Sequence, residues 1–148
     1  MDLSKAKKLI KKYEGLQLKA YQCPGKHWTI GYGSTRIFER AVRDGDVCTI
    51  DQAEDVLDEH LELISRAVKK LILVEVNDDE FNALISFSYN VGVGSLRYST
   101  LLRKLNEKHP REMVAAEFAR WNKAGSKVLA GLVIRRKDEA DLFLSRGV

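Results

Sequence analysis

Apolar residues recur along this chain at two different periods, and the places where the period changes divide it into elements. Leu3, Ala6, Leu9, Ile10 and Tyr13 stand at helical spacing, with Lys5, Lys7, Lys8, Lys11 and Lys12 on the opposite side. That pattern predicts a short amphipathic helix, capped by Asp2 or Ser4 and ended by Gly15. The period then falls to two: Leu16, Leu18 and Ala20 alternate with Gln17, Lys19 and Tyr21, and Trp28 to Tyr32 forms a second β-rich run. Between the runs lies CPGKH, where Pro24 presets a turn and Gly25 is expected at the positive φ of a type II turn. A hairpin follows. If its loop is Pro24 to Trp28, Cys23 and Thr29 become directly opposed on one face. A two-residue turn at Pro24 and Gly25 puts them on opposite faces.

The remainder is helical by the same criterion. GYGSTRIFERAVRDGDVCT is expected to complete a small sheet and to carry an exposed DGD turn. Thr49 and Gln52 have the spacing of a capping box, and Ala53, Val56, Leu57, His60, Leu61, Ile64, Ala67, Val68 and Leu71 mark one face of a long helix. His60 lies on that stripe and reads as a core or lobe-interface histidine. The acids Asp51, Glu54, Asp55, Asp58, Glu59 and Glu62 read as the solvated face. Asn77 before Asp78, Asp79 and Glu80 is a second helix start, and NVGVG ends that helix. Helical spacing resumes from Leu96 to Asn106 and again from Pro110, and the link AGSKVLAGL leads to a last helix carrying Arg135 and Arg136. The expected fold class is α+β in a single domain, 1–148: a small hairpin and sheet lobe over 14–50, a connecting helix over 51–73, and a helical lobe from 1–13 and 74–148.

Composition narrows what such a domain does. With 148 residues, 45% hydrophobic and 31% charged, the chain can bury a real core. A net charge of +4 and a pI near 9.1 suit nucleic acid, anionic lipid or an anionic wall polymer equally. The lysines of the first helix read as a solvated face. Aromatic residues do not interleave with the basic ones, and neither a helix-turn-helix nor a zinc pattern is present, so a nucleic-acid partner is not expected. MDLSKAKKLIKKYEG shows no apolar run long enough for a signal peptide or membrane anchor, so a cytoplasmic location is expected. Cys23 and Cys48, in no metal-ligand spacing, are expected as free thiols. No metal and no cofactor are implied.

One stretch concentrates the reactive groups. Eight residues separate Glu14 from Cys23 and five separate Cys23 from Thr29, so a carboxyl, a thiol and a hydroxyl share a short segment. Glu14 ends its helix, where the negative helix end disfavours a carboxylate, and a surface glutamate gains little there. That makes it the leading functional candidate.

The run KKYEGLQLKAYQCPGKHWTIGYGST resembles the phage lysozymes, whose signature is Glu, eight residues, Asp or Cys, five residues, Thr, then a Gly-aromatic-Gly run. Glu14, Cys23, Thr29 and Gly31-Tyr32-Gly33 match it. The likeness continues through FNALISFSYNVGVGSLRYSTLLRKLN and RWNKAGSKVLAGLVIRRKDEADLF, nearly the whole chain. The resemblance implies a lysozyme-like fold and an endolysin that hydrolyses the bond between N-acetylmuramic acid and N-acetylglucosamine in peptidoglycan glycan strands. It implies Glu14 as general acid, with Cys23 and Thr29 holding the attacking water in an inverting reaction. Tyr32, Gly33, Tyr89, Asn90 and Thr100 match substrate-cleft positions, and Arg135 or Arg136 matches an arginine that pairs with the glutamate. It further implies a monomer that depends on a holin-type membrane lesion to reach the wall. Cys23 departs from the better-studied members, which carry aspartate. A thiol is ordinarily near 8.5, and a neighbouring carboxylate raises it, so Cys23 is expected uncharged and able only to orient water. Two other classes fit parts of the pattern: a lytic transglycosylase, which needs one glutamic acid and no carboxylate base, and a non-catalytic basic binder of cell wall or nucleic acid.

Overall fold

A computed structural model describes residues 2–145. The chain forms two compact units, Ile10–Leu63 and Met1–Leu9 with Ile64–Val148. Both boundaries fall inside helices: α1, Ser4–Glu14, and α2, Ile50–Leu71.

The Ile10–Leu63 unit is built on a hairpin. Helix α1 stops at Glu14 because Gly15, at φ 69, adopts the left-handed conformation that closes a helix C-terminus, its N–H bonding the Lys11 carbonyl. Strand β1, Gln17–Gln22, pairs antiparallel with β2, Trp28–Gly31, in the register Tyr21 to Thr29 and Gln22 to Trp28. An irregularity between Gln17 and Tyr21 disturbs the alternation. Leu18 is consequently 40% exposed rather than the half-buried residue its period suggests. The other edge of β1 is covered by the segment before α2, since Ala20 N–H bonds Asp46 O at 2.8 Å and Cys48 N–H bonds Leu18 O at 2.9 Å. A second hairpin, β3 Arg36–Ile37 with β4 Arg40–Ala41, pairs separately.

The capping box read at Thr49 is formed: Gln52 N–H donates to Thr49 Oγ1 at 3.1 Å and Thr49 N–H to Gln52 Oε1 at 2.9 Å. Ala53, Leu57 and Leu61 of α2 are buried, and so are Ile10, Ile30 and Ile37. Gly31, at φ 66, lies so close to α2 that a Cβ there would stand 3.3 Å from Ala53 Cβ. His60 departs from its expected place, being exposed on α2 rather than in a core. Helical spacing put it on the apolar stripe, but the buried face of α2 runs through Leu57 and Leu61 and leaves His60 outside it.

In the second unit α3, Asp78–Val91, begins at Asn77 with a reciprocal box, Glu80 N–H to Asn77 Oδ1 at 2.7 Å and Asn77 N–H to Glu80 Oε1 at 2.9 Å. Gly92, at φ 95, ends it. The run expected as one helix from Leu96 to Asn106 is two, α4 Val93–Arg97 and α5 Thr100–Asn106. Ser99 divides them because its hydroxyl accepts the Leu102 N–H at 3.0 Å and so starts a new helix. Helix α6, Arg111–Ala116, runs into a 3-10 turn, Glu117–Arg120. The link before the last helix is a short hairpin, β5 Lys123–Ala124 with β6 Lys127–Val128, then α7, Ala130–Leu144. Phe81, Phe87, Phe118 and Phe143 are almost fully buried, and Phe118 packs edge-on to Phe87 at 5.4 Å and to Phe143 at 5.7 Å. Each such ring contributes roughly 1.5–3 kcal/mol of burial before conformational entropy is charged against it. Ala6 N–H donates to Asn82 Oδ1 at 2.9 Å, tying the start of α1 to α3.

Candidate active site

The hairpin turn solves the problem of bringing a thiol beside a hydroxyl by a route other than either expected one. Lys26 N–H bonds Cys23 O at 2.8 Å, and Cys23 N–H bonds His27 O at 3.0 Å. The loop is therefore Pro24 to Lys26. The left-handed residue is Lys26, at φ 62, while Gly25 is not in that region. Cys23 then sits two positions beyond Tyr21, the partner of Thr29. Side chains two apart on a strand share a face, so Cys23 and Thr29 meet diagonally, with Tyr21 directly across from Thr29.

The environment of the thiol also differs from expectation. Cys23 is held below the usual thiol value, chiefly by a hydrogen bond from the His27 backbone, with further contributions from the Gly25 backbone and the Thr29 hydroxyl. These donors stabilise the thiolate, and partial desolvation opposes them without prevailing. Thr29 has one proton, and its Oγ1 donates to His27 O at 2.9 Å. That geometry gives the proton to the carbonyl, leaving the backbone N–H groups as the dependable support of the sulfur. Cys48, in contrast, is buried and burial pushes its thiol up. Both cysteines are free.

Glu14 reaches the same neighbourhood. At Gly33, φ 79, an added Cβ would stand 2.6 Å from Glu14 Oε2 and 3.1 Å from its Cδ. Only glycine lets that carboxyl rest against the backbone. Tyr21 is pushed above the usual phenol value, first by burial and then by the charges of Glu14 and Cys23. The phenol therefore lies within electrostatic reach of both groups, and it stays protonated as a hydrogen-bond donor at neutral pH. Sequence reasoning did not single out Tyr21; its place on the Cys23 face, two residues away, was the available signal.

The other predicted residues fall into two sets. Tyr32, in the Ile10–Leu63 unit, is 7% exposed, and its hydroxyl donates to Glu54 Oε1 at 3.2 Å. Lys11 pairs with the same carboxylate and stands 5.3 Å from the Tyr32 ring. Tyr32 thus anchors the Gly31 to Gly33 bend from within. Tyr89, Asn90, Thr100, Arg135 and Arg136 belong to the other unit. Asn90 Oδ1 accepts from Arg136 Nη2 at 2.7 Å, and Thr100 opens α5. Arg135 and Arg136 are both buried around Glu139, with Nε to carboxylate distances of 3.3 and 3.0 Å, while Ser86 Oγ donates to Glu139 at 2.6 Å. Burial drives Glu139 up, against the two arginines and Ser86, and burial lowers Arg136. Nη1 of Arg136 has no hydrogen-bond partner. Among the described residues no cluster of His, Cys, Asp and Glu could hold a metal ion.

Residues 11–139 match the model of a family described as phage lysozyme. An endolysin of Bacillus phage PZA is 48% identical over 93% of this chain and 52% of its own length. The chain spans about half the length of the Bacillus phage endolysins it matches. An endolysin from Escherichia coli O157:H7 phage FAHEc1 superposes with a TM-score of 0.89 at 37% identity, over 98% of this chain and 94% of that one. The muramidase domain of SpmX from Asticaccaulis excentricus gives 0.84 at 34% identity, over 96% and 97%.

Proposed function

The chain belongs to the phage lysozyme family, and from that premise we propose that it is a muramidase that hydrolyses the β-1,4 bond between N-acetylmuramic acid and N-acetylglucosamine in peptidoglycan. The observation that carries the reading is the Glu14 carboxyl lying against the Gly33 backbone, with Tyr21 within reach of both Glu14 and Cys23. Glu14 donates its proton to the leaving glycosidic oxygen. Cys23 and Thr29 hold a water against the opposite face of the sugar, which attacks the anomeric carbon and inverts it. Backbone N–H groups that stabilise the thiolate raise its ionised fraction above that of a bare thiol, so the sulfur can accept a hydrogen bond from the water. Cys23 therefore orients the water together with Thr29. Gly33 lets the chain pass close to the acid, and Tyr32 holds the bend from below.

Tyr89, Asn90 and Thr100 are proposed to contact the glycan, and Arg136, with a donor to spare, is the better candidate for the supporting arginine. In the host, the enzyme acts as a monomer and reaches the wall through a holin-type lesion. No described helix is long and apolar enough to cross a membrane. Turbidity loss of a peptidoglycan suspension tests the catalytic claim. Wild type clears it, and Glu14→Gln, which removes the proton donor but keeps the shape, falls by at least about a hundredfold. Equal clearing by the variant sinks the assignment of Glu14.

A further inference from the structure

Beside the proposed acid the Ile10–Leu63 unit holds a cavity of about 350 Å³ that none of the residues assigned so far explains, except at its edge. Gly33 forms that edge, so the cavity begins where the Glu14 carboxyl meets the backbone. One wall is the β3–β4 hairpin and the other is the outer face of α2, from Val56 to Leu63.

The hairpin turn is the unusual part. Strands β3 and β4 are joined by two residues, Phe38 at φ 52 and Glu39 at φ 59, both left-handed. Such a turn is normally made by Asn-Gly or Asp-Gly, because side chains with a Cβ resist this conformation. A phenylalanine there is strained, and its ring gains nothing from a core, being 46% exposed. Strain at an exposed aromatic points to a use in binding. The ring is also fixed. Arg40 stands 5.6 Å from its centroid and is itself pinned by a two-point pair with Asp46, 2.8 Å at each contact. One ring face is backed by a guanidinium, which leaves the other for a flat apolar ligand surface.

The rest of the wall limits what that ligand can be. Ile37, Val56 and Leu63 are apolar. Ser34 is 5% exposed, and its hydroxyl has no hydrogen-bond partner, a cost that a ligand carbonyl would offset. Partial burial keeps the His60 imidazole below its usual value, so it is polar and neutral at neutral pH. The charged residues of the lining are Arg36, Glu39 and Glu59, which makes an anionic ligand a poor match. A volume at the low end of small-molecule sites suits one ring and a short substituent.

We propose that this cavity is a subsite for one uncharged N-acetylhexosamine unit of the glycan strand, stacked on Phe38 with its acetamido group directed to Ser34. This rests on the muramidase reading and deepens it, by placing recognition of a neighbouring sugar on the β3–β4 hairpin. The stem peptide, whose carboxylates would meet Glu39 and Glu59, is excluded from it.

Chitotriose, which has acetamido groups but neither lactyl nor peptide acids, is the probe. It is titrated into wild type, Phe38→Gly and Ser34→Ala, with cellotriose as the sugar lacking acetamido groups. Wild type is expected to bind chitotriose with amide shifts at residues 34–39 and to bind cellotriose more weakly. Phe38→Gly lowers chitotriose affinity about tenfold while its unfolding midpoint rises, since glycine relaxes the turn. A merely structural Phe38 would move affinity and stability together. Ser34→Ala loses the preference for chitotriose over cellotriose. On whole peptidoglycan both losses appear in KM. The proposal is overturned if wild type fails to bind chitotriose, if Phe38→Gly binds it as well as wild type, or if free stem peptide rather than sugar shifts these residues. Failure of wild type to release any reducing ends from peptidoglycan would overturn the muramidase reading instead, and chitotriose binding is read without it.

Discussion

At Cys23 one side chain, a thiol rather than a carboxyl, decides what the site can do. An aspartate at that place brings a full charge, whereas a thiol brings one only when its surroundings stabilise the thiolate. Those surroundings are the backbone N–H groups of a tight turn. Cys23 should therefore react with iodoacetamide at pH 7.5 at least about tenfold faster than buried Cys48, whose thiol is pushed the other way. Equal labelling would contradict the assigned turn geometry. Cys23→Ser keeps a hydroxyl that can orient water but cannot become an anion near neutral pH. It is expected to lose about 10- to 100-fold in turnover, less than Glu14→Gln, and to lose any rise of activity with pH that the thiol titration supplies. Gly33→Ala forces a left-handed alanine and drives a methyl into Glu14 Oε2. The expected cost is about 1–2 kcal/mol of stability and a larger loss of activity, read together by denaturant melts and turbidity.

Among the elements, the two hairpins divide what was legible from what was not. Helix starts at Thr49 and Asn77 follow from side chains that accept the backbone N–H three residues on, a local effect that sequence carries. Asn77→Ala should cost about 1 kcal/mol, read from the urea midpoint, and an unchanged midpoint would deny the box any role. The β1–β2 hairpin was legible as a hairpin, and Cys23 and Thr29 as a pair. Its register was not, because Lys26 rather than Gly25 takes the left-handed position. The β3–β4 turn carries no turn residue at all, so nothing local marks Phe38 and Glu39. Its anchor, Arg40 with Asp46, does make a prediction in acid. Arg40 holds the Asp46 carboxyl far below its usual value, helped by the Arg43 N–H. A depressed folded value means stability that is full above the unfolded carboxylate value, about 3.9, and lost as pH falls through the folded one. Wild type should thus lose stability below about pH 4 by a component that Asp46→Asn lacks, seen by comparing melts at pH 6 and pH 3.

For the whole molecule, periodicity and composition were enough for an α+β chain with a helical majority, because burial of one helix face is written in spacing. Long-range polar contacts were not. Glu139 sits fully buried between two arginines, and Ser86, from a helix distant in sequence, completes its partners. Spacing alone marks Arg135 and Arg136 as a basic pair in a helix and leaves their burial invisible. His60 is the opposite case: the helical period put it inward, and the fold leaves it exposed at the wall of a cavity.

The central claim is that Glu14, acting as an acid on the Cys23 and Thr29 face, cleaves muramyl bonds by adding water. Its most direct test is product analysis of purified peptidoglycan digested by wild type and by Glu14→Gln. The account predicts reducing N-acetylmuramic acid ends from wild type, first released as the inverted anomer, and none above background from the variant. Anhydromuramic ends, or undiminished release by Glu14→Gln, would contradict it.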